Sequence, residues 1–298
     1  MTEDAPSIAG SLLAWHDPAD RRLAWRWTTD PYAVLVSEVM AQQTQAARAA
    51  QAWTGFMRRF PTVQHLAAAP AADVIQAWEG LGYNRRAVNL HRCAQAVVAH
   101  HGGALPEDLA ALQALPGVGP YTARAVLAFA FGRDVVPVDT NIARVLARVA
   151  DRVLTRPQAQ RLADDLAADG HGPGLSAALM DLGAGLCTAR RPRCADCPLL
   201  TACSWAGGTA PDPAALGGHR PRPQGTFDGS ARQARGRIVT AVRAGPIEEV
   251  AALALAGEHG RVLLDRLVAD GLVQREGSGF ALPAPTGMSE SGPDGTAI

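Results

Sequence analysis

Leu115-Pro116-Gly117-Val118-Gly119-Pro120-Tyr121-Thr122-Ala123 joins two stretches, 107–115 and 121–131, whose apolar residues recur at helical spacing. Gly117 and Gly119 allow a tight turn and a close backbone approach. Pro120 suits the first turn of the helix that follows. The stretch therefore reads as a helix, a hairpin turn and a second helix. The N–H groups at the start of the second helix have no partner within it, so the two glycines frame a site for an anion such as a phosphate. A Gly-x-Gly between helices is by itself more often just a turn, and the flanking sequence has to decide.

Outward from the hairpin, the same periodicity marks 32–60, 71–80, 85–100, 141–149, 158–169 and 174–186, separated by short turns such as Phe60-Pro61-Thr62 and Gly80-Leu81-Gly82. Ala and Leu dominate, with few β-branched or aromatic runs, so a mainly α fold built as a compact helical bundle is expected. The 298 residues are 48% hydrophobic and 19% charged, enough for one large or two modest globular domains. Formal net charge is zero, so any surface for a polyanion has to be local. Every basic side chain is Arg and none is Lys. A mechanism through a lysine imine is thereby excluded, leaving the α-amino group as the primary amine. No apolar stretch is long enough for a membrane span and no signal-peptide pattern opens the chain, so a cytoplasmic protein away from membranes is expected.

Cys187, Cys194, Cys197 and Cys203 follow a C-x6-C-x2-C-x5-C spacing. In a reduced compartment such a set points to metal rather than disulfides. Zinc sites usually pair two short Cys-x-x-Cys knuckles and one is present here, whereas an iron–sulfur cluster also takes all-thiolate ligation. Arg190, Arg191 and Arg193 lie in that loop, where a bound centre would hold them for phosphate contacts. Cys93 stands apart in a helical segment and reads as a small buried apolar residue.

After residue 205 the pattern changes. Residues 206–230 are rich in Gly, Pro, Ala and Arg without apolar periodicity and read as a linker. Residues 231–283 then carry helical segments at 237–243, 248–256 and 261–270 and a strand-like alternation over 271–282, which suggests a small winged-helix-like module. Residues 284–298 read as a disordered tail.

Together, the hairpin sequence 115–123, Asp139 beyond it and the four-cysteine spacing resemble the helix-hairpin-helix DNA glycosylase superfamily, with its two helical lobes and 4Fe–4S loop. Within it, Ser37-Glu38-Val39-Met40-Ala41-Gln42-Gln43-Thr44-Gln45, Gly80-Leu81-Gly82-Tyr83 and Met180-Asp181-Leu182-Gly183-Ala184 resemble the adenine-specific mismatch glycosylases, the MutY family. The likeness runs over residues 23–203, so that 1–205 would form the glycosylase region with 187–203 as its iron–sulfur loop. The resemblance implies a base-excision enzyme that hydrolyses the N-glycosidic bond of adenine mispaired with 8-oxoguanine or guanine in double-stranded DNA, acting as a monomer. Glu38 matches the general acid and Asp139, with Asn141 beside it, the carboxylate that stabilises the sugar cation. Tyr121 falls where a hydroxyl supports that Asp. The lyase-active relatives resembling endonuclease III have Lys there, so a monofunctional enzyme is implied. Gln43, Thr44 and Tyr83 match residues that wedge into the duplex, and Trp25, Arg26 and Asp181 match positions lining the pocket of the flipped adenine. Cys187, Cys194, Cys197 and Cys203 match the cluster ligands.

The chemistry agrees with these roles. Breaking an N-glycosidic bond needs one carboxylic acid to protonate a poor leaving group and one carboxylate to face a sugar cation. Glu38 follows Val34, Leu35 and Val36 and precedes Val39 and Met40, an apolar setting that would favour its protonated form. The base must leave the stack, which gives an intercalating side chain a purpose. Plainer readings exist beside these: Glu38 as a surface helix residue, Asp139 as a helix cap, Tyr83 as core packing. The pattern departs from the family at Thr140, where many members have Gly. It departs again at the C-terminus, where members commonly carry a β-rich domain resembling a nucleotide-pyrophosphatase fold. Arg220, Arg222, Arg232, Arg235, Arg237 and Arg243 stand there instead, to meet DNA phosphates or to keep a linker soluble. Two alternative functions remain: a thymine or pyrimidine mismatch glycosylase of the same superfamily, and a non-catalytic iron–sulfur DNA-binding protein.

Overall fold

The computed structural model describes residues 7–17, 23–168, 170–208, 211–217 and 225–284. Of the expected linker, residues 209–210 and 218–224, Arg220 and Arg222 among them, lie outside these, as do tail residues 285–298. Among the described residues no helix is long and apolar enough to cross a membrane.

Helices organise around three apolar clusters. The first is built by α2 (Pro31–Ala41), α3 (Ala46–Arg59), α4 (Val63–Ala68), α5 (Ala71–Ala77), α6 (Arg85–His100), α7 (Leu109–Ala114) and α8 (Pro120–Phe129). At its centre Trp78 is fully buried, with Phe56 edge-on at 5.9 Å. The second cluster takes the N-terminal α1 (Ile8–Trp15) together with α9 (Thr140–Val149), α10 (Arg156–Ala167), α11 (Gly172–Gly185) and α12 (Pro213–Leu216). The chain thus starts in one lobe, builds the other, and returns. Cys93 is buried in the first lobe, where burial pushes its thiol up to about 12, so it packs as an apolar residue.

The 32–60 stretch does not form one continuous helix. The chain breaks over residues 42–45, with Gln43 at φ 54°. The reason is a distant side chain: the Arg86 guanidinium donates to the carbonyls of Val39, Met40 and Gln42, closing the end of α2. Sequence periodicity has no access to such a cap. At α9 the cap is local, since Asp139 accepts from the N–H groups of Asn141 and Ile142 at 2.8 and 2.7 Å.

The third cluster holds α13 (Ala231–Ala244), α14 (Glu249–Ala256) and α15 (Gly260–Ala269) with β1 (Ile247–Glu248), β2 (Gln274–Glu276) and β3 (Gly279–Ala281). The sheet is antiparallel in the order β1-β3-β2, with Ile247 opposite Phe280. Sequence reading gives the hairpin but not β1, a strand too short to show alternation. This cluster also takes in Ile75 and Val88 of the first lobe. Arg243 fixes the contact by donating to the Ile75 carbonyl at 2.8 Å. It is therefore a packing residue and not a free phosphate contact.

The hairpin has the expected form: α7 ends at Leu115 and α8 starts after Gly119, with Pro120 in its first turn. Gly117 sits at φ +78°, and a Cβ there would lie 2.8 Å from Cβ of Asn89. Gly119 has φ −90°, and a Cβ added to it would meet nothing within 4 Å. Gly117→Ala is thus expected to cost roughly 1 kcal/mol or more of stability, and Gly119→Ala less. Denaturant unfolding of both variants checks the order; equal losses would refute the strain assigned to Gly117.

Candidate active site

Where the two lobes meet, a cavity opens between α2, the start of α8 and α11, lined among others by Trp25, Arg26, Ser37, Glu38, Tyr121 and Met180. Glu38 stands on the face of α2 between the buried Ser37 and Val39. Burial pushes its carboxyl up to about 7; the Tyr121 hydroxyl bonded to it opposes the rise, and the charge of Asp139 adds to it. Tyr121 in turn is held far above its ordinary value by burial and by the two carboxylates nearby. The family resemblance assigns that hydroxyl to Asp139. In the folded chain it serves Glu38, because Asp139 already receives the two backbone N–H groups of α9 and, on its other oxygen, Asn141 Nδ2 at 2.8 Å. Those three donors and the positive end of α9 compensate an ionised carboxylate. One site therefore holds a carboxyl that burial raises to about 7 and a second that accepts three N–H donors.

Trp25 and Arg26 come from a short 3-10 turn, Ala24–Trp27, that crosses the mouth of the cavity. Trp25 leans edge-on against Trp53 at 6.3 Å. Asp181, expected to line the pocket, lies buried behind it. Its carboxylate accepts both bonds from Arg26 Nη2, at 2.6 and 2.8 Å, and shares a 3.0 Å hydrogen bond with the His16 ring. Asp181 thus fixes two residues that do line the cavity. Nothing local in the sequence singles out His16, since its partner is 165 positions away.

The expected wedge residues lie on two loops beside this cavity. Gln43 is exposed at φ 54°, and Tyr83 is 40% exposed at φ 46°. Such backbone conformations are uncommon for non-glycine residues and persist when the surroundings impose them. Arg86 imposes them: beside its bonds to α2 it donates to the carbonyls of Leu81 and Gly82, both at 3.1 Å, and to Thr44 Oγ1 at 3.0 Å. Its guanidinium also stacks over Trp78 and Tyr83. Thr44 is consequently tied inward and braces the two loops, while Gln43 and Tyr83 project. Gln42 reaches the hairpin helix through Thr122 at 3.3 Å. Sequence reading misses Arg86 altogether, although it is the residue that joins both loops.

Cys187, Cys194, Cys197 and Cys203 all line one small cavity under α9 and α11. Burial pushes Cys194 and Cys197 up, and the neighbouring thiolates push further, a repulsion that a cationic centre would relieve. Among the described residues no three His, Cys, Asp or Glu side chains converge on one point fit for a single metal ion. Four thiols lining one cavity are a donor set that an all-thiolate iron–sulfur centre takes. Arg148 donates to Cys187 Sγ at 3.2 Å and to the Thr188 carbonyl at 2.8 Å, while paired with Asp212 at 2.8 Å. Arg144 bonds the Cys187 and Gly183 carbonyls and the Asn141 side chain, so the cysteine loop and the Asp139 cap share one scaffold. Arg190, Arg191 and Arg193 are exposed on the loop.

Comparison with known proteins gives a consistent picture. Residues 36–166 match the family described as HhH-GPD superfamily base excision DNA repair protein. An adenine DNA glycosylase of Mycobacterium tuberculosis (strain CDC 1551 / Oshkosh) is 42% identical over 93% of this chain and 96% of its own length. An adenine DNA glycosylase of Homo sapiens is 42% identical over 67% of this chain and 39% of its own. Among solved structures, a thermostable thymine-DNA glycosylase superposes with a TM-score of 0.63 at 29% identity, covering 67% of this chain and 94% of that one.

The raised Glu38 carries a stability consequence. Below about 4.5 it is protonated in folded and unfolded chains alike, and that stability is lost as pH rises through about 7, because the unfolded chain ionises first. Glu38→Gln removes the buried charge. The variant is expected to be more stable than the parent at pH 8, by up to about 3 kcal/mol, and to gain little at pH 4. Urea unfolding at the two pH values measures this. A gain independent of pH would contradict the burial of the ionisable carboxyl.

Proposed function

The chain belongs to the adenine DNA glycosylase (MutY) family, and on that premise we propose that it hydrolyses the N-glycosidic bond of adenine mispaired with 8-oxoguanine or guanine in double-stranded DNA, as a step of base excision repair. The observation that carries this reading is the carboxyl pair: Glu38 raised to about 7 in the cavity, with Asp139 near enough to act on it electrostatically. The adenine leaves the stack and enters beside Trp25 and Arg26, with Gln43 and Tyr83 filling the space it vacates. Protonated Glu38 gives its proton to the adenine ring, the bond from the sugar to the base breaks, and its electron pair leaves with the base. Asp139 faces the resulting oxocarbenium-like sugar with its negative charge. Glu38, now a carboxylate, takes a proton from water as the oxygen bonds to the sugar carbon, and adenine and an abasic site result. With no Lys in the chain, no side-chain imine can form, so the enzyme is monofunctional.

In this reading residues 1–205 are the glycosylase region, with Gly117 and Gly119 offering backbone N–H groups to a phosphate. Residues 206–230 lead to a winged-helix-like module, 231–283, but they are not a bare linker, since Asp212 and α12 pack on the second lobe. Cys187, Cys194, Cys197 and Cys203 would hold a 4Fe–4S cluster that, when bound, fixes the loop bearing Arg190, Arg191 and Arg193. The protein works as a monomer in the cytoplasm, at the nucleoid. A thymine glycosylase is the second reading, favoured by the 0.63 TM-score to a thymine-DNA glycosylase.

The deciding experiment incubates the protein with duplexes holding adenine opposite 8-oxoguanine, adenine opposite guanine, and thymine opposite guanine, then breaks abasic sites with alkali. Breaks at adenine, fastest opposite 8-oxoguanine, are expected; breaks at thymine alone would give the second reading. Asp139→Asn keeps a good helix cap and loses the charge. Its melting temperature should stay within a few degrees of the parent while base release falls by at least 100-fold, and normal release would sink the two-carboxylate mechanism. Iron and inorganic sulfide should be present in equal amounts in the purified protein; zinc in their place would exclude the cluster.

A further inference from the structure

Loop 42–45 is a partition. Ala41 and Ala46 line the Glu38 cavity on one side of it, while Gln42 and Gln43 line a second cleft on the other. The far wall of that cleft belongs to the C-terminal unit, through Phe227 and the first turns of α13. Arg48, Arg85, Arg86, Arg232 and Arg235 line it, and among the described residues no Asp or Glu does. We propose that this cleft binds the sugar–phosphate backbone of the DNA strand opposite the adenine, with Arg232 on a phosphate beside the orphaned base. The inference rests on the adenine-glycosylase reading, in which the flipped strand enters the Glu38 cavity. A wedge between two clefts then sends one strand to each.

The details fit a polyanion held in register. Phe227 is 53% exposed, and the half-buried Arg232 holds its guanidinium 5.3 Å from that ring centre while donating to the Gly225 carbonyl at 3.5 Å, which fixes the cation at the cleft wall. Arg235 and Arg85 share Asp270 across the junction of the unit and the first lobe, at 2.6 and 3.4 Å. With the half-buried Arg243 they fix the wall relative to Gln43 and Tyr83. The cleft is therefore continuous with the wedge and complementary to phosphate in charge. The sequence alone leaves these arginines as either phosphate contacts or solubilising charge; the fold puts Arg232 and Arg235 on the cleft wall and packs Arg243 against the first lobe.

Binding of the full-length protein to a duplex with an uncleavable 2′-fluorinated deoxyadenosine opposite 8-oxoguanine tests this. Arg232→Ala is expected to weaken binding five- to tenfold at 0.1 M salt and to reduce the slope of log K against log salt by about one. Neutral methylphosphonates beside the orphaned base, in the opposite strand, should weaken the parent and add nothing to the Arg232→Ala loss. Arg266→Ala, on the exposed face of α15 outside the cleft, controls for charge alone. Unchanged binding in Arg232→Ala would overturn the proposal. So would an equal loss in Arg266→Ala, or a methylphosphonate effect that vanishes in the adenine strand instead. If the parent releases no adenine from any mispair, the adenine reading fails and takes this one with it; release by the parent with no Arg232 effect refutes this one alone.

Discussion

A carboxyl that burial raises to about 7, within electrostatic reach of a second that caps a helix, is the interaction on which the architecture of the site turns. Here Glu38 stands on α2 of the first lobe and Asp139 caps α9 of the second. Each environment is set by its own lobe: α2 buries Val34, Leu35, Val36, Val39 and Met40 around the acid, whereas α9 offers N–H donors to the carboxylate. The seating of the lobes then brings the two together, and Tyr121, carried on the hairpin helix, reaches into the seam. The hairpin thus has an architectural duty beside any phosphate contact. It delivers the hydroxyl that limits how far the Glu38 acid is raised.

Arginine does most of the remaining positioning. Arg86, Arg144, Arg148 and Arg243 each spend guanidinium donors on backbone carbonyls at helix ends and loops. A planar fork with five donors can join several carbonyls at fixed angles, which an ammonium on a flexible stem cannot. Desolvation is the largest influence on Arg86, lowering it to about 10, so the bonds it makes must offset a real cost. The composition that removes lysine-imine chemistry therefore also equips the chain with rigid clamps. The wedge loops depend on one of them, and the cysteine loop on two.

The hairpin, the cysteine spacing and the Asp139 cap are legible in the sequence because each is local. A few adjacent residues fix a turn, a ligand set or a cap. What sequence periodicity misses depends on distant partners. The break over 42–45 exists because Arg86 sits more than 40 positions away and takes the carbonyls of α2. Asp181 reads as a pocket residue from its motif, but His16 and Arg26 occupy its oxygens from the other end of the chain. The N-terminal α1 escapes notice since its burial is against α11, and β1 because two residues make no pattern. Motifs name the acid and the carboxylate; the partner of Tyr121 requires the lobes to be assembled.

Zero net charge is compatible with a polyanionic substrate because charges act over about a Debye length, ~8 Å at physiological salt. Many carboxylates are neutralised in pairs such as Glu107 with Arg133, Asp265 with Arg275 and Glu249 with Arg261. Among the described residues, the exposed arginines outside such pairs include three on the cysteine loop, Arg190, Arg191 and Arg193, and Arg48 beside the 42–45 loop. A chain arranged in this way gains little long-range steering, and the attraction it does exert is felt only once the duplex is close. The general attraction to ordinary DNA is correspondingly weak. The fixed local cations strengthen the hold where wedge, cavity and loop can all engage the same distorted site.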